Sequence, residues 1–271
     1  MTQDAWLSTH PYLRSIAKFQ ERVDSAAAGL PLAIINLPNW DEYSAEFHVG
    51  VPLLQSKSFP FDFETAGKMV VSLNKTLASL PLPYNLADDI RALSTELSQE
   101  SDGPRRAMAW LLDRDTVAPA RLGLLRYVGW AALRRYLRPL VEEFSNWRQE
   151  EHWLRSYCPL CGSLPAMAQL VGVDSGRLRF LSCGGCGTRW RFRRTGCPFC
   201  ENEGDHRITF MAIEGEGGLR IDYCESCRSY LKTYDGTGCE SLFLADWTSL
   251  HLDILARDRG LQRSAESLYE I

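Results

Sequence analysis

The sequence predicts an α+β fold in which an N-terminal helical domain precedes two small tandem β modules and a C-terminal helical tail. Apolar residues recur at helical spacing through the first 150 residues, whereas residues 157–240 contain short β-like runs, glycines and cysteines. All nine cysteines lie between residues 158 and 239. The predicted segments are residues 1–154, 155–195, 196–242 and 243–271.

The composition is that of a globular protein. Hydrophobic residues make up 45% of the chain and charged residues 24%, which argues against wholesale disorder. A formal net charge of −4 gives no global signal for nucleic acid or a membrane surface. No run approaches the roughly 18 apolar residues that a membrane span needs, and the N-terminus has no signal-peptide pattern. We therefore expect a cytoplasmic protein without membrane contact.

Five apolar stripes predict helices in the first half of the chain. These stripes begin at Leu13, Ala66, Leu86, Met108 and Leu122. Asp62 is a predicted N-cap, and Pro104 suits the first turn of a helix. Pro139 lies inside the longest stripe and predicts a kink or a break. Residues 30–60, which are rich in Pro, Ser and mixed apolar residues, are predicted to form an extended surface connection.

Six runs with β-like composition predict strands in the cysteine-containing region. They are MAQLVGV, LRFLSC, TRWRFRR, HRITFMAI, LRIDYC and YLKTY. Turns are expected at residues 174–176 and 214–218, where glycine and acidic residues cluster. After Asp246 the helical pattern returns, with Leu250, Ile254 and Leu261 apolar, and this tail is expected to pack back on one of the two parts.

An internal repeat organises four Cys-x-x-Cys pairs. Cys158 and Cys161 recur 39 positions later as Cys197 and Cys200, and the pair at residues 183 and 186 recurs 41 positions later. A two-residue spacer lets one tight turn direct both sulfurs at a point about 2.3 Å away. The repeat therefore predicts two tetrahedral metal sites in rubredoxin-like or zinc-ribbon-like modules. The predicted ligand sets are Cys158, Cys161, Cys183 and Cys186, and Cys197, Cys200, Cys224 and Cys227. A cross-braced pairing of the first with the third Cys pair remains open.

The residue after each Cys pair differs between the two modules. Gly162 and Gly187 stand there in the first module, where a left-handed backbone is commonly required. Glu201 and Arg228 replace them in the second module. We therefore expect the second site to be more strained or more open and its metal to be more labile. Cys239, outside the pairs, is expected to be a small buried side chain.

No sequence motif indicates catalysis. The chain has no G-x-S-x-G, no phosphate-binding glycine loop and no dinucleotide fingerprint, and four-thiolate sites leave no open coordination position. The histidines show no ligand spacing to one another and are expected to be structural. They are His10, His48, His152, His206 and His251. We therefore predict that the protein is not an enzyme.

Several strings of residues resemble one protein family. CPLCGSLP, GRLRFLSCGGCGTRW, CPFC, DYCESCRSYLKTYD and the tail ADWTSLHLDILARDRG resemble the FdhE family of formate dehydrogenase accessory proteins. The resemblance covers residues 155–260. It implies a cytoplasmic, chaperone-like maturation factor that binds the formate dehydrogenase catalytic subunit before export. It also implies two iron ions, each held by four of the eight paired cysteines, although four thiolates suit zinc as well.

Two other functions remain open at this stage. The first is a rubredoxin-like redox or electron-transfer factor that acts during formate dehydrogenase maturation. The second is a zinc-ribbon nucleic-acid-binding protein, in which the alternating basic and aromatic residues 189–194 would contact single-stranded nucleic acid. The balanced charge of residues 158–240 favours instead a strand with arginines on one face, and it argues against nucleic acid as a partner. The sequence also leaves open whether the protein forms a homodimer.

Overall fold

The computed structural model describes residues 1–33, 35–36, 38–82, 84–115, 120–148, 150–172, 176–202 and 208–269. The helices are α1 (Gln3–Thr9), α2 (Arg14–Ala28), α3 (Trp40–Val49), α4 (Phe63–Ala78), α5 (Tyr84–Gln99), α6 (Gly103–Leu111), α7 (Leu122–Trp147), α8 (Glu240–Phe243) and α9 (Leu250–Asp258). The strands are β1 (Pro165–Val171), β2 (Leu178–Cys183), β3 (Arg189–Phe192), β4 (Ile208–Ala212), β5 (Leu219–Cys224), β6 (Ser229–Asp235) and β7 (Gln262–Arg263). The predicted α+β class is confirmed.

The five predicted helices of the first half are present as α2, α4, α5, α6 and α7. The carboxylate of Asp62 accepts a hydrogen bond from the backbone N–H of Thr65 at 3.0 Å, which confirms the predicted N-cap. Helix α7 continues through Pro139 as one element, so the predicted break is wrong. Buried residues on both sides of the proline, among them Leu137 and Leu140, hold the helix together despite the missing N–H.

The prediction for residues 30–60 is also wrong over part of its length. Residues 40–49 form helix α3, whose side chains Tyr43 and Phe47 are buried. The side chain of Asn39 caps the start of the helix, and Gly50 ends it in a left-handed conformation at φ 93°. The apolar residues of α3 lie one turn apart, but the surrounding Pro and Ser residues obscure that periodicity in the sequence.

All six predicted β runs contain a strand, and the turn expected at residues 214–218 connects β4 to β5. Asp174 and Ser175, of the other expected turn, lie outside the described residues, as does His206. The two repeats correspond strand by strand. Each has a Cys pair, a first strand, a turn, a second strand, a second Cys pair and a third strand, with β1 to β3 in one repeat and β4 to β6 in the other.

The two repeats share one sheet, which the sequence did not predict. The strand order is β3-β2-β1-β6-β5-β4, and β7 pairs with one end of β6. All neighbours within a repeat are antiparallel, whereas β1 and β6 are parallel, with Met167 opposite Lys232 and Leu170 opposite Asp235. The central strands β1 and β6 are buried along nearly their whole length, as expected for strands covered on both faces.

The chain divides into two compact units. The first consists of Met1–Arg14, Asn39–Ser58 and Trp147–Ser267, and it contains the sheet and all nine cysteines. The second consists of Ser15–Pro38, Phe59–Asn146 and Leu268–Ile271. The four consecutive segments predicted from the sequence rest on residue character and not on contacts, and that division stays a prediction.

The second unit is a helical assembly with close backbone approaches. A Cβ at Gly129 of α7 would lie 2.3 Å from the end of the Leu111 side chain of α6, so a larger residue there would require that side chain to move. Buried Asn74 of α4 donates a hydrogen bond to the carbonyl of Ile90 in α5 at 3.0 Å. Within the described residues, no helix combines the length and apolar character that crossing a bilayer requires.

The C-terminal part of the first unit packs on the sheet through a buried ionic network. Lys232 of β6 lies 2.6 Å from Asp246 and 2.8 Å from Asp253, and Arg263 lies within 3.0 Å of both carboxylates. The helical tail is thus confirmed, and it packs on the sheet of the first unit. Ile254 is 59% exposed, whereas Asp253 faces inward, because the ionic network fixes the rotation of α9.

We predict that Lys232→Met strongly destabilises the first unit. The substitution leaves Arg263 as the remaining positively charged partner, among the described residues, of two buried carboxylates, and breaking a buried ion pair costs about 3–5 kcal/mol. Urea unfolding followed by tryptophan fluorescence measures the effect. Lys57→Met, at an exposed position of the same unit, is the matched control and should change the unfolding free energy by less than about 0.5 kcal/mol. Equal effects from the two substitutions would contradict the structural role of the network.

Candidate metal centres

Cys158, Cys161, Cys183 and Cys186 form the first cluster. The Sγ atoms of Cys158 and Cys186 are 3.5 Å apart, and those of Cys161 and Cys183 are also 3.5 Å apart. One Cys pair precedes β1, and the other begins at the last residue of β2 and continues into the turn before β3. The antiparallel pairing of β1 with β2 therefore brings the two turns together, with Pro165 opposite Cys183.

Cys197, Cys200, Cys224 and Cys227 form the second cluster. The Sγ atoms of Cys197 and Cys227 are 3.7 Å apart, and those of Cys200 and Cys224 are 3.8 Å apart. In both clusters the sulfurs group within one repeat and not across the two repeats. This is the grouping that the sequence repeat favoured over a cross-braced arrangement.

The sulfur positions fit a tetrahedral metal ion. A metal at about 2.3 Å from each sulfur places neighbouring sulfurs about 3.8 Å apart. The observed separations of 3.5 to 3.8 Å lie near that value. Because a disulfide needs two sulfurs only about 2.05 Å apart, these clusters have the geometry of metal ligands and not of disulfides.

Each Cys pair is closed by the same backbone hydrogen bond. The N–H of the residue after the second cysteine donates to the carbonyl of the first cysteine, at distances of 2.9 to 3.2 Å. That residue has a positive φ in all four turns. The values are 86° at Gly162, 79° at Gly187, 56° at Glu201 and 61° at Arg228. The requirement for a left-handed residue is therefore confirmed, and the second cluster meets it with two residues that are strained in this conformation.

The two clusters also differ in exposure. All four cysteines of the first cluster are buried, whereas Cys200 is exposed and Cys227 is partly exposed in the second. This confirms the expectation that the second site is the more open one. Whether its metal is more labile stays a prediction.

A segment that the sequence did not link to the cysteines covers the first cluster. The N–H groups of Leu53 and Leu54 donate to the carbonyls of Pro159 and Leu160, at 2.9 and 2.8 Å. A Cβ at Gly162 would lie 2.6 Å from the Gln55 side chain, so this Cys turn and the segment are in close contact. The first cluster is buried in part because residues 52–55 lie against its first turn.

Electrostatics favour a bound cation at each cluster. Burial raises the pKa of Cys158, while hydrogen bonds from the neighbouring thiols lower the pKa of Cys183 well below its usual value. In the second cluster, burial would raise the pKa of Cys224, but backbone hydrogen bonds from Cys227 and Ser226 and the neighbouring thiols bring it to about 7. In each cluster one thiol ionises readily. A metal ion supplies the positive charge that allows all four to be thiolates.

The basic and aromatic run at residues 189–194 is a strand with its aromatic residues inside. Trp190 and Phe192 are buried, and Arg191 forms an ion pair with Glu151 at 3.4 Å. Buried rings cannot stack on nucleic-acid bases, and the alternation matches the predicted strand with arginines on one face.

Cys239 belongs to neither four-cysteine cluster, and neither does any histidine among the described residues. Cys239 is partly exposed, so the expectation that it is buried is wrong. Its Sγ lies 3.2 Å from the N-terminal amine of Met1. The structure also brings His10 and His251 together around Glu216, a grouping with no signal in the sequence because the three residues are far apart along the chain.

Two four-sulfur clusters, one in each of two duplicated three-stranded units of one sheet, define a protein with tandem four-cysteine modules, each of which could hold a metal ion. The family model for the FdhE central domain matches residues 157–194. An FdhE homolog from Pseudomonas aeruginosa is 33% identical over 214 residues, which span 72% of this chain and 65% of the homolog. FdhE from Escherichia coli is 31% identical over 141 residues, which span 50% of this chain and 45% of that protein.

The crystal structure of FdhE from Pseudomonas aeruginosa has the same fold. The two structures superimpose with a TM-score of 0.61 and 22% sequence identity. The superposition covers 95% of this chain and 88% of the Pseudomonas aeruginosa chain. The chain belongs to the FdhE family, as the cysteine strings indicated. It aligns with between about half and two thirds of the length of these relatives.

We predict that the residue after the second Cys pair tunes metal affinity in each cluster. Arg228→Gly should tighten metal binding at the second cluster several-fold, because a left-handed non-glycine residue costs about 1 kcal/mol or more. Gly187→Arg should weaken the first cluster by a similar factor. A Cβ at Gly187 meets no described atom within 4 Å, so the backbone alone is tested. Competition with a chelator, followed by metal analysis, measures both affinities.

Arg228→Ala is the control for this experiment. It removes the hydrogen bond from the guanidinium to the Arg259 carbonyl, at 2.8 Å, but keeps the strained backbone. Its affinity should therefore stay near that of the wild type. If Arg228→Ala tightens binding as much as Arg228→Gly does, the side chain and not the backbone conformation sets the affinity.

Proposed function

We propose that this protein is a non-enzymatic accessory factor in the assembly of formate dehydrogenase. It binds the catalytic subunit in the cytoplasm before export, and its metal modules form part of the binding region. Membership of the FdhE family supports the link to formate dehydrogenase. The observation that carries the rest is the pair of four-cysteine clusters in a single sheet.

The geometry of the clusters supports a role without catalysis. Four thiolates complete a tetrahedral coordination shell, which leaves no position where a substrate or an activated water could bind. Such closed sites stabilise a fold and present a surface. The two clusters lie at the strand ends of both repeats, where they fix the turns that a partner would contact.

The eight cysteines are proposed to hold two iron ions, one in each cluster. Sulfur separations of 3.5 to 3.8 Å suit iron and zinc alike, and the family resemblance favours iron. None of the nine cysteines is part of a disulfide bond, which is consistent with a reducing compartment and supports a cytoplasmic location.

We predict that disrupting the second cluster weakens capture of the formate dehydrogenase catalytic subunit. Cys200→Ser removes an exposed ligand and should reduce recovery in a pull-down at least fivefold, because the metal-free turns lose their fixed shape. Recovery of the catalytic subunit by tagged full-length protein measures the effect, with metal content determined on the same samples.

Cys239→Ser is the matched control, since it removes a cysteine outside both clusters. It should retain full metal content and full recovery of the partner. A circular dichroism spectrum of Cys200→Ser like that of the wild type shows that the rest of the chain is folded. If a Cys200→Ser protein that has lost one metal still recovers the partner fully, the metal in the second cluster is not required for partner binding, which would contradict the prediction.

The exposure of Cys200 favours a second candidate function. An iron ion held by four thiolates supplies one-electron chemistry, and an exposed sulfur ligand shortens the path to an electron donor or acceptor. In this alternative the protein acts as a rubredoxin-like electron-transfer factor during formate dehydrogenase maturation.

We predict for this alternative that the anaerobically purified protein is coloured and that mild reduction bleaches its visible absorption. Metal analysis on the same sample should give two iron atoms per chain. The Cys200→Ser protein should lose about half of the absorption, while Cys239→Ser should lose none. A colourless protein with zinc in both clusters would exclude the redox function and leave the assembly role intact.

A further inference from the structure

A third group of metal-binding side chains lies in the first unit, away from the cysteines. His10 follows helix α1, Glu216 lies in the turn between β4 and β5, and His251 lies in the first turn of α9. Their ligand atoms lie within 4.8 Å of one another. The His10 Nε2 atom is 3.3 Å from one oxygen of Glu216, and the His251 Nε2 atom is 2.7 Å from the other oxygen.

The group is buried. The side chains of His10, Glu216 and His251 are only 7%, 10% and 14% exposed. Burial would raise the pKa of Glu216, but hydrogen bonds and the charge of His251 and His10 lower it below its usual value. The carboxylate is therefore ionised, and a buried carboxylate needs positive charge beside it.

Hydrogen bonding around His10 positions its ring for ligation. The Nδ1 atom of His10 lies 3.1 Å from the Trp6 carbonyl and 2.9 Å from the Thr9 hydroxyl. Nδ1 therefore has a partner whether or not it carries a proton, because the carbonyl accepts and the hydroxyl can donate. Nε2 faces the Glu216 carboxylate at 3.3 Å, so it is the ring nitrogen that would bind a metal.

This arrangement is typical of a metal-binding histidine. A ligating imidazole usually donates its second ring N–H to a carbonyl or carboxylate, which fixes the tautomer and the ring orientation. In a tetrahedral site with bonds of about 2.0–2.1 Å, neighbouring ligand atoms lie about 3.3 Å apart. The distance from His10 to Glu216 matches that value. The distance of 2.7 Å from His251 to Glu216 is that of a hydrogen bond, and it would lengthen when a metal replaces the proton.

Aromatic packing holds the ligands in place. The ring of Trp6 stacks on His10 with centroids 3.7 Å apart, and Tyr12 lies edge-on to both histidines at 5.6 and 5.7 Å. A Cβ at Gly217 would lie 2.9 Å from Phe243, so the glycine lets the turn that carries Glu216 approach closely. The site is thus organised by its surroundings before any ion binds.

We propose that His10, Glu216 and His251 form a third metal site, which binds a divalent transition metal of the zinc class through two imidazole nitrogens and one carboxylate. Nitrogen and oxygen donors distinguish this site from the all-sulfur clusters. Three protein ligands leave one coordination position open for water or for a ligand, whereas four thiolates leave none. Binding releases the proton that His251 shares with Glu216.

The test is a zinc titration of the full-length protein with its cysteine clusters already filled. After equilibrium dialysis against low micromolar Zn²⁺, the wild type should hold one more zinc ion than before dialysis. Glu216→Gln keeps the size of the side chain but removes its charge, and it should weaken this binding at least tenfold. Added zinc should raise the melting temperature of the wild type and leave that of Glu216→Gln unchanged.

A matched control comes from another pair of neighbouring histidines in the same unit. The rings of His48 and His152 are 5.3 Å apart, but this pair belongs to none of the candidate metal-binding groups among the described residues. The double substitution of both residues by Gln should leave zinc uptake unchanged. His251→Gln is a second site variant in case Glu216→Gln fails to fold, and it should also lose the additional zinc.

Two outcomes would overturn the proposal. In the first, the wild type takes up no zinc beyond its cysteine clusters. In the second, Glu216→Gln melts at a lower temperature but takes up as much zinc as the wild type, which would make the three residues a purely structural hydrogen-bonded network. The thiol content, measured in parallel with a thiol reagent, reports on the cysteine clusters separately.

Discussion

The hydrogen bond that closes each Cys-x-x-Cys turn is the constraint on which the cysteine-containing unit depends. It forces the next residue into a left-handed conformation at all four turns and directs two sulfurs to one side. The strands begin or end at these turns, so the positions of the sulfurs and the register of the hairpins are linked. Four thiolates then require a cation, which joins the two ends of each hairpin by bonds stronger than any contact in so small a core.

The sequence predicted what depends on local spacing. Cysteine spacing was sufficient to group the sulfurs, because the repeat makes each hairpin self-contained. Helical stripes and the Asp62 cap were visible for the same reason. The residue types at positions 201 and 228 also indicated the less regular turns of the second cluster.

What the sequence could not predict arises from contacts between distant residues. Residues 52–55 cover the first cluster, and β1 pairs with β6, but no periodic pattern in the sequence indicates either contact. The rotation of α9 depends on Lys232, which reads in the sequence as an ordinary strand residue but is buried with two carboxylates. The grouping of His10 with His251 requires the fold of the entire first unit.

The pairing of β1 with β6 has a consequence for how the sheet ends. It joins the first strand of one repeat to the third strand of the other, so the repeats are related head-to-tail by a translation and not by a two-fold rotation. Such an arrangement does not close on itself. Its two outer strands are the third strand of one repeat, β3, and the first strand of the other, β4, which is the same combination as in the inner pair of β6 and β1. Residues 150–152 contact β3, while Phe210 on β4 is 58% exposed. Within the described residues, one outer strand of the repeating sheet is therefore covered, while no further strand pairs with the outer edge of β4.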